Sequence, residues 1–284
     1  MGRLEEQAMT KLSQKIGMLG AGNMAGALIR GVLTARLLDA GNLRASDPRT
    51  ERCQQLAREH GIEATPSNEA LVQWADVVVL GTKPQTVPAA LEGVREQLGS
   101  KLLVSIAAGV TTSTLAARCA PGTRIVRVMP NTAAMALAGA TAIAAGPHAS
   151  ADDVALAESL FGAVGRTVTV PESLMDAVTG LSGSGPAYVM LFIDALADGG
   201  VKMGLPRDQA LLLAAQTVFG AAKLLVESGE HPARLKDMVT SPGGTTITGL
   251  AELERGGLRS ACICAVEAAT RRSIELGQAA QKKP

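Results

Sequence analysis

The sequence predicts an α/β protein of two domains, a parallel sheet with helices followed by an all-α half. At roughly 150 residues per domain, its 284 residues correspond to about two domains. The first half alternates short β-like runs with helical stretches, which is typical of βαβ units. From Glu172 onward, stretches rich in Ala and Leu leave almost no strand signal. We therefore expect an α/β domain over 1–171, with a frayed leader at 1–14, and an all-α domain over 172–284.

The strands of the predicted sheet are apolar runs in the first half of the chain. Five of them lie at 15–19, 42–46, 77–81, 102–105 and 124–129. The Val-rich run at 77–80 lacks polar alternation, as expected of a central strand covered on both faces. Two further runs, 141–145 and 166–170, flank a predicted helix that starts near Ser150. Asp152 and Asp153 lie in its first turn, where the helix dipole favours acidic residues. These two runs are expected to complete the sheet.

Gly and Pro residues divide the second half into helices, and Pro206 suits a first helical turn. The segment 176–197 carries few charges over about 20 residues, a length that could span a membrane. However, it opens with a Gly/Ser-rich bend, contains Asp194 and lacks basic flanks. We therefore predict a helix buried in an α-helical core or in a dimer interface.

The composition excludes several classes of function. Lys plus Arg number 27 and Asp plus Glu 26, so the net charge of +1 provides no strong field for a polyanion. Aromatic residues make up 2% of the chain, which again disfavours nucleic acid as a partner. The four cysteines form neither a disulfide framework nor a metal-binding pattern. The polar segment 1–15 resembles neither a secretory signal nor a membrane span, so we expect a soluble cytoplasmic protein.

A dinucleotide-binding fingerprint follows the first predicted strand. Residues 20–25 form a G-x-G-x-x-A motif that opens a helix with apolar periodicity. Gly20 permits the tight turn, Gly22 lets the backbone approach a pyrophosphate, and Ala25 allows close packing of the helix on the strand. The phosphates would lie at the helix N-terminus. Because the motif begins the first βαβ unit, which is the context it requires, we predict a Rossmann-like dinucleotide-binding domain.

Loops after the other predicted strands are expected to complete the cofactor site, because ligands of open α/β sheets bind at the carboxyl ends of the strands. The loop 81–84 follows the Val-rich strand. Small residues at 107–109 would let a nicotinamide ring lie close to the backbone, and Asn131 could hydrogen-bond its amide. The predicted cofactor-binding residues are Gly20, Ala21, Gly22, Asn23, Met24, Ser46, Asp47, Arg49, Asn68, Gly81, Thr82, Lys83, Pro84, Ala107, Ala108, Gly109 and Asn131.

The choice between NAD and NADP depends on the end of the second predicted strand, which reads Ser46-Asp47-Pro48-Arg49. An acidic residue there accepts hydrogen bonds from a free ribose 2′-hydroxyl and repels a 2′-phosphate. Ser46 with Arg49 or Arg52 could instead hold that phosphate. Asp47 could also be a cap or turn residue before Pro48. The sequence leaves both cofactors open, with NADP slightly favoured.

Two strings in the second half are more specific than the fingerprint. Residues 180–188 read GLSGSGPAY, and residues 241–246 read SPGGTT. The β-hydroxyacid dehydrogenases carry a similar glycine pattern at this place, followed by a catalytic lysine and an asparagine. When that pattern is aligned on the glycines of the first string, Val189 and Phe192 stand at those two positions, so that chemistry is missing. Together with the N-terminal fingerprint, the two strings closely resemble the pyrroline-5-carboxylate reductases, and the resemblance spans about residues 15–276.

The resemblance implies hydride transfer from NAD(P)H to the C=N carbon of 1-pyrroline-5-carboxylate, which gives L-proline in the last step of proline synthesis. Thr246 matches the family's residue that faces the ring nitrogen and is the predicted catalytic residue. The turn before it feeds a helix N-terminus, which would favour the substrate carboxylate. Glu172 matches a substrate-side carboxylate of some members. The predicted substrate-binding residues are Ser241, Gly243, Gly244, Thr245, Thr246 and Glu172.

The resemblance also implies an assembly, because helices of this family interlock between subunits. We expect a homodimer, or dimers stacked into a larger ring such as a decamer. Gly229 stands where some members place a glutamate, so an amine contact from that position is lost. His231 is expected to be a structural helix-start residue, whereas Tyr188 and Lys236 have no assigned role. Two alternatives stay open: a related cyclic-imine or keto-acid reductase, and a non-catalytic dinucleotide-binding protein.

Overall fold

The structure, a computed structural model, describes residues 11–281, with side chains through residue 279. Most of the predicted leader therefore lies outside the described residues. The strands of the described chain are β1 Ile16–Leu19, β2 Leu43–Ser46, β3 Glu63–Thr65, β4 Val77–Leu80, β5 Leu102–Ser105, β6 Arg124–Met129, β7 Gly139–Ala145 and β8 Gly165–Thr169. Its α-helices are α1 Asn23–Thr34, α2 Thr50–His60, α3 Asn68–Trp74, α4 Val87–Glu92, α5 Thr112–Ala116, α6 Ala151–Gly162, α7 Met175–Val178, α8 Gly185–Lys202, α9 Arg207–Ser228, α10 Pro232–Met238, α11 Thr245–Arg255 and α12 Leu258–Gln281.

The strands form one sheet in the order β3-β2-β1-β4-β5-β6-β7-β8. Every neighbouring pair is parallel except β6 and β7, which are antiparallel. All seven predicted strands are present, each within two residues of its predicted ends. The prediction missed β3, a three-residue edge strand with no buried residue, because such a strand carries no apolar run.

Helices cover both faces of the sheet. All four residues of β4 are buried. Val77 and Val79 pack in the same apolar cluster as α1 and α6, whereas Val78 and Leu80 pack in a second cluster with α3 and α4. The prediction that this strand is central and covered on both faces is therefore confirmed.

The predicted helix after residue 150 is also present as α6. The Ser150 hydroxyl accepts a hydrogen bond from the Asp153 N–H at 3.2 Å, and the Asp153 carboxylate accepts one from the Ser150 N–H at 2.9 Å. This reciprocal capping box satisfies two N–H groups at the start of the helix. The Arg124 guanidinium, 2.6 Å from the same carboxylate, ties the helix start to β6.

The chain divides into two compact units. The sheet unit runs through Gly183 and takes up the chain again at Ala269, and the helical unit comprises Ser184–Ala268. Glu172 to Gly183 thus belong to the compact sheet unit, twelve residues beyond the domain boundary expected at 171/172. The two domain assignments themselves remain a prediction.

The helical unit has a small core of its own and a large apolar surface. Its buried cluster consists of Ala197, Ala210 and Ala214. Many large apolar side chains of α8 and α9 are exposed in the single chain, among them Met190, Leu191, Leu212, Leu213 and Phe219. By length and composition, α9 is the one described helix that could cross a membrane. A helix of this character also suits a subunit interface, where apolar surface is covered by a partner.

Candidate functional site

The glycine fingerprint forms a tight turn between β1 and α1. Gly20 has φ +101°, and a Cβ atom there would lie 3.0 Å from the carbonyl carbon of Gly81. The Gly20 N–H donates to the Ser46 carbonyl, and the Gly81 N–H donates to the Leu19 carbonyl, each at 2.9 Å. At Gly22, by contrast, a Cβ would have its nearest neighbour at 3.9 Å. Only glycine therefore fits the turn at position 20, while position 22 leaves free space in front of the helix N-terminus.

A cavity of about 500 Å³ opens at this turn, at the carboxyl ends of β1, β2 and β4. Nine of the predicted cofactor-binding residues line it: Gly20, Gly22, Ser46, Asp47, Arg49, Asn68, Gly81, Thr82 and Lys83. Thr86, Ala89 and Ala90 also line it and were not predicted. The signal for them was available, because they lie on the first turns after the predicted loop 81–84 and so face the same edge of the sheet.

The Asp47 carboxylate at this cavity links two segments of the chain by hydrogen bonds. Its Oδ2 accepts a hydrogen bond from the Ala21 N–H at 3.1 Å, and its two oxygens accept three from the backbone and guanidinium of Arg49 at 2.8–3.0 Å. Asp47 is 5% exposed. The Arg49 side-chain hydrogen bond is the main cause that lowers the pKa of Asp47 to about 2; the backbone N–H groups of Arg49 and Ala21 act in the same direction, and burial opposes them.

Arg52 supports the same turn from the other side. Its Nε donates to the Ala21 carbonyl at 2.7 Å, and its Nη1 donates to Gln55 at 2.7 Å. The backbone of Ala21 is therefore held at both its N–H and its carbonyl. Of the two arginines considered for a 2′-phosphate, only Arg49 lines the cavity.

Two hydroxyls in the cavity differ in their partners. Ser46 Oγ donates to Asn68 Oδ1 at 2.8 Å. The Thr82 Oγ1 is buried and has no hydrogen-bond partner among the described residues. A buried hydroxyl without a partner is costly, so a ligand group that supplies one is favoured there. This hydroxyl and the open space at Gly22 make the cavity a good fit for the phosphates and ribose of a dinucleotide.

The predicted loops after β5 and β6 lie outside this cavity. Asn131 is engaged by the protein, since its amide nitrogen donates to the Ser182 carbonyl at 3.0 Å and its amide oxygen accepts from the Ala140 N–H at 3.1 Å. Gly109 has φ +73° and lies against the backbone of Gly277 near the end of α12. Ala21, Asn23, Met24, Pro84, Ala107 and Ala108 do not line this cavity, and their contacts with the cofactor stay predictions.

Glu172 lies beside these loops. Its carboxylate accepts hydrogen bonds from the Thr112 N–H at 2.8 Å and the Thr112 hydroxyl at 2.5 Å, and it pairs with the Arg127 guanidinium at 3.1 Å. Burial would raise the pKa of Glu172, but the hydrogen bonds from Thr112 and Arg127 outweigh it and hold the pKa below its usual value. The predicted substrate contact of Glu172 stays a prediction.

The second glycine-rich segment contacts the end of β6. Thr179–Gly183 is a π-helical turn, and a Cβ at Gly183 would lie 2.8 Å from the Cε of Met129. Sequence alone indicated only that backbone approaches some other group closely there. Within the sheet unit that group is Met129, so the glycine serves packing against the sheet.

The SPGGTT string forms a turn that leads into α11. The Gly244 N–H donates to the Ser241 carbonyl at 3.1 Å, and Gly243 has φ +65°, a conformation that favours glycine. A Cβ at Gly244 would overlap with the Ser241 side chain. Gly244 is the N-cap of α11, so the amides of Thr245, Thr246 and the next residue lack intrahelical acceptors. The predicted turn before a helix N-terminus is therefore present, and it is suited to an anion.

The other candidate residues have structural settings. His231 Nδ1 accepts from the Ala233 N–H at 3.2 Å and caps α10, as predicted. The Tyr188 hydroxyl donates to the Ala265 carbonyl at 3.4 Å, and Lys236 pairs with its exposed neighbour Asp237. All four cysteines are free. Within residues 11–281, no cluster of His, Cys, Asp or Glu could hold a metal ion.

Residues 172–276 match a family model described as pyrroline-5-carboxylate reductase dimerisation, and residues 15–109 match one described as NADP oxidoreductase, coenzyme F420-dependent. The chain is 49% identical to the pyrroline-5-carboxylate reductase of Methanosarcina acetivorans, over 94% of this chain and 99% of that protein. It is 46% identical to the enzyme of the same name from Synechocystis, over 94% and 100%.

Solved structures agree with these matches. A pyrroline-5-carboxylate reductase from Coxiella burnetii has a TM-score of 0.90 and 35% identity, and the alignment covers 93% of this chain and 99% of that one. A pyrroline carboxylate reductase from Plasmodium falciparum with NADP bound has a TM-score of 0.83 and 32% identity, covering 94% and 99%.

Proposed function

The chain belongs to the pyrroline-5-carboxylate reductase family, and we propose that Thr246 and the turn before it bind the imine substrate of this reductase. The protein is an NAD(P)H-dependent oxidoreductase of proline biosynthesis that reduces 1-pyrroline-5-carboxylate to L-proline. The observation that carries the assignment of residues is the α11 N-terminus, where the Ser241–Gly244 turn leads directly into Thr245 and Thr246.

The substrate is a small ring with one carboxylate and one imine nitrogen. The backbone amides of Thr245 and Thr246 lie at the positive end of α11, where an anion is stabilised by the helix dipole and by N–H groups without intrahelical acceptors. Gly243 and Gly244 carry no side chain that would keep the carboxylate away from these amides. The helix N-terminus therefore recognises the carboxylate and fixes the orientation of the ring.

The Thr246 hydroxyl is proposed to hydrogen-bond the ring nitrogen. A hydroxyl can donate to an amine nitrogen or accept from a protonated imine, so it keeps its partner as the nitrogen changes charge. A protonated imine is already electrophilic, and no strong general acid is required of the protein. The bound nicotinamide supplies the hydride, and the side chains and amides of this site contribute by orientation.

Thr246→Ala tests this assignment. Loss of a hydrogen bond to a charged group predicts a fall in kcat/KM for the imine of about 10- to 100-fold, while Thr246→Ser retains most activity because it keeps the hydroxyl. Thr248→Ala is the matched control, because its hydroxyl donates to the Gly244 carbonyl within the same helix. Oxidation of the reduced nicotinamide with and without 1-pyrroline-5-carboxylate gives the rates. An unchanged kcat/KM in Thr246→Ala would remove Thr246 from the site.

The cofactor is a nicotinamide dinucleotide, and we propose that this chain prefers NADPH. The charged residues that line the cavity are one acidic, Asp47, and two basic, Arg49 and Lys83. The Asp47 carboxylate already accepts four N–H hydrogen bonds and is poorly placed to accept more from a ribose diol. The Arg49 side chain is 65% exposed and can approach a 2′-phosphate. The NADP-bound Plasmodium relative is consistent with this preference.

Arg49→Gln tests the preference. We expect kcat/KM for NADPH to fall about tenfold, the loss of one charge-assisted hydrogen bond. For NADH, kcat/KM should hold or rise, because the change also frees two acceptor positions of Asp47 for the ribose diol. Arg58→Gln is the control, since Arg58 is an exposed arginine of the same helix α2 and does not line the cavity. Equal losses for both cofactors would refute a 2′-phosphate contact.

The protein self-associates through its dimerisation domain, and we propose a homodimer in the cytoplasm. The exposed apolar side chains of α8 and α9 support burial against a second copy, which also accounts for the apolar character of α9 without a membrane. Light scattering after size exclusion distinguishes a dimer from a decamer, since the masses are two and ten times 29.0 kDa. A monomer would contradict the proposal.

A further inference from the structure

The Glu172 carboxylate joins two elements that are distant in sequence. Thr112 is the first residue of α5, directly after the loop that follows β5, and Arg127 lies on β6, two residues before its end. Glu172 itself stands in the segment after β8. Its hydrogen bonds and ion pair therefore cross-link the start of α5 and the end of β6.

The partners of Glu172 are buried. Thr112 is 5% exposed and Arg127 is 4% exposed. A buried guanidinium requires an anion, because an unpaired charge in the protein interior is strongly unfavourable. Glu172 supplies that anion, and at the same time it accepts the Thr112 N–H, which lies at the N-terminus of α5 and has no intrahelical acceptor. Both carboxylate oxygens are thus engaged inside the sheet unit.

The two cross-linked elements carry loops that were predicted to contact the nicotinamide. Ala107–Gly109 lie in the loop that leads from β5 into α5, and Asn131 follows β6. Asn131 in turn fixes the Ser182 carbonyl of the π-helical turn. The position of these loops therefore depends on the pairing of Arg127 and Thr112 with a single carboxylate.

We infer that Glu172 is a positioning residue for the nicotinamide half of the cofactor site, acting through Thr112 and Arg127 rather than by contact with the imine. This inference rests on the proposed cofactor site. It predicts that replacement of Glu172 weakens NADPH binding more than it raises the KM for the imine. A direct contact with the imine or a purely structural role would not produce this difference.

Glu172→Gln removes the charge that Arg127 requires and keeps the size of the side chain. We expect the Kd and KM for NADPH to rise about tenfold, because small displacements of positioning groups weaken binding and catalysis strongly, while the KM for 1-pyrroline-5-carboxylate changes less than about twofold. NADPH binding is measured without the imine by fluorescence titration, so its outcome is separate from the reaction. Glu158→Gln is the matched control, because Glu158 is a carboxylate of the same unit that accepts a hydroxyl hydrogen bond, from Thr169 at 2.6 Å.

The double variant Glu172→Gln with Arg127→Met covers the case in which the single variant does not fold, because it removes the unpaired buried charge. We expect it to fold and to keep the weakened NADPH binding. A raised KM for the imine with unchanged NADPH binding would overturn the inference in favour of a substrate contact. Unchanged constants for both ligands, with only a lower Tm, would overturn it in favour of a structural role. Because NADPH affinities are measured without the imine, a failure of the proposed imine site at Thr246 would leave this comparison unchanged.

Discussion

Replacement of Asp47 by Asn makes the stability of the sheet unit less dependent on pH. The wild-type carboxylate accepts hydrogen bonds from Arg49 and Ala21, which lower its pKa from 3.8 to about 2. At about 1.36 kcal/mol for each pKa unit, the lowered pKa corresponds to a stabilisation of roughly 2.4 kcal/mol. The Arg49 side chain is 65% exposed, so solvent screening reduces the expected contribution to about 1–2 kcal/mol.

The sign of the effect follows from the lowered pKa. The ionised carboxylate is more stable in the folded state than in the unfolded state. Its contribution to the unfolding free energy is therefore present in full above the ordinary pKa of 3.8. It is lost as the pH falls through the pKa of about 2 in the folded state. The difference in unfolding free energy between the wild type and Asp47→Asn should therefore be about 1–2 kcal/mol at neutral pH and shrink between about pH 4 and pH 2.

Urea unfolding of both proteins over this pH range measures the difference. Trp74, the single tryptophan, lies on α3 in the sheet unit and reports the unfolding of that unit by its fluorescence. Asp39→Asn is the control, because Asp39 forms an exposed ion pair with Lys11 and should contribute less than about 1 kcal/mol. A difference between wild type and Asp47→Asn that does not vary with pH, or that grows in acid, would refute the assignment of the stabilisation to the ionised carboxylate.

Five further substitutions, two of them matched controls, test the packing and the cavity. Gly165→Ala should destabilise the protein by more than about 3 kcal/mol in urea unfolding, because φ is +154° and the new Cβ would overlap with the backbone of β7. Its control, Gly162→Ala, has open space around the new Cβ and should be neutral or stabilising by about 0.5 kcal/mol. Thr141→Val should raise the unfolding free energy by about 1 kcal/mol, because it removes a buried hydroxyl without a partner. Its control, Thr123→Val, should lower the unfolding free energy by a similar amount, because the Thr123 hydroxyl donates to the Ala120 carbonyl. Thr82→Val should weaken NADPH binding about 5- to 10-fold by fluorescence titration, and unchanged affinity would show that the cofactor does not use this hydroxyl.

The parts of the fold that could be predicted are those encoded by local patterns. The Val-rich β4 and the fingerprint at Gly20 were readable because apolar runs and tight glycine turns are properties of short segments. The edge strand β3 has no buried residue and gave no such signal. The antiparallel pairing of β6 with β7 was not readable either, because β7 has the same apolar character as a parallel strand and its direction is set by the connection at 130–138.

The candidate site shows the same division between local and distant information. The turn before α11 was predicted from adjacent residues, because Gly243 and Gly244 are required by its own backbone. The pairing of Glu172 with Thr112 and Arg127 joins residues 60 and 45 positions apart, and no spacing in the sequence indicates it. The sequence can indicate that a polar residue such as Glu172 belongs to the site, but it does not indicate which residues form hydrogen bonds with that side chain.

The hydrogen-bond partners divide the polar residues of the candidate cofactor and substrate sites into two groups with different functions. The side chains of Asp47, Asn131 and Glu172 were all candidates for ligand contacts, and in the structure each is engaged by backbone or side-chain groups of the protein. Such groups fix the shape of the site, because a ligand that bound them would have to replace hydrogen bonds that already exist. A group without a partner has the opposite property, since a ligand can satisfy it without breaking anything. The Thr82 hydroxyl and the amides at the start of α11 are of this second kind, and the contacts to the dinucleotide and to the imino acid are therefore expected there.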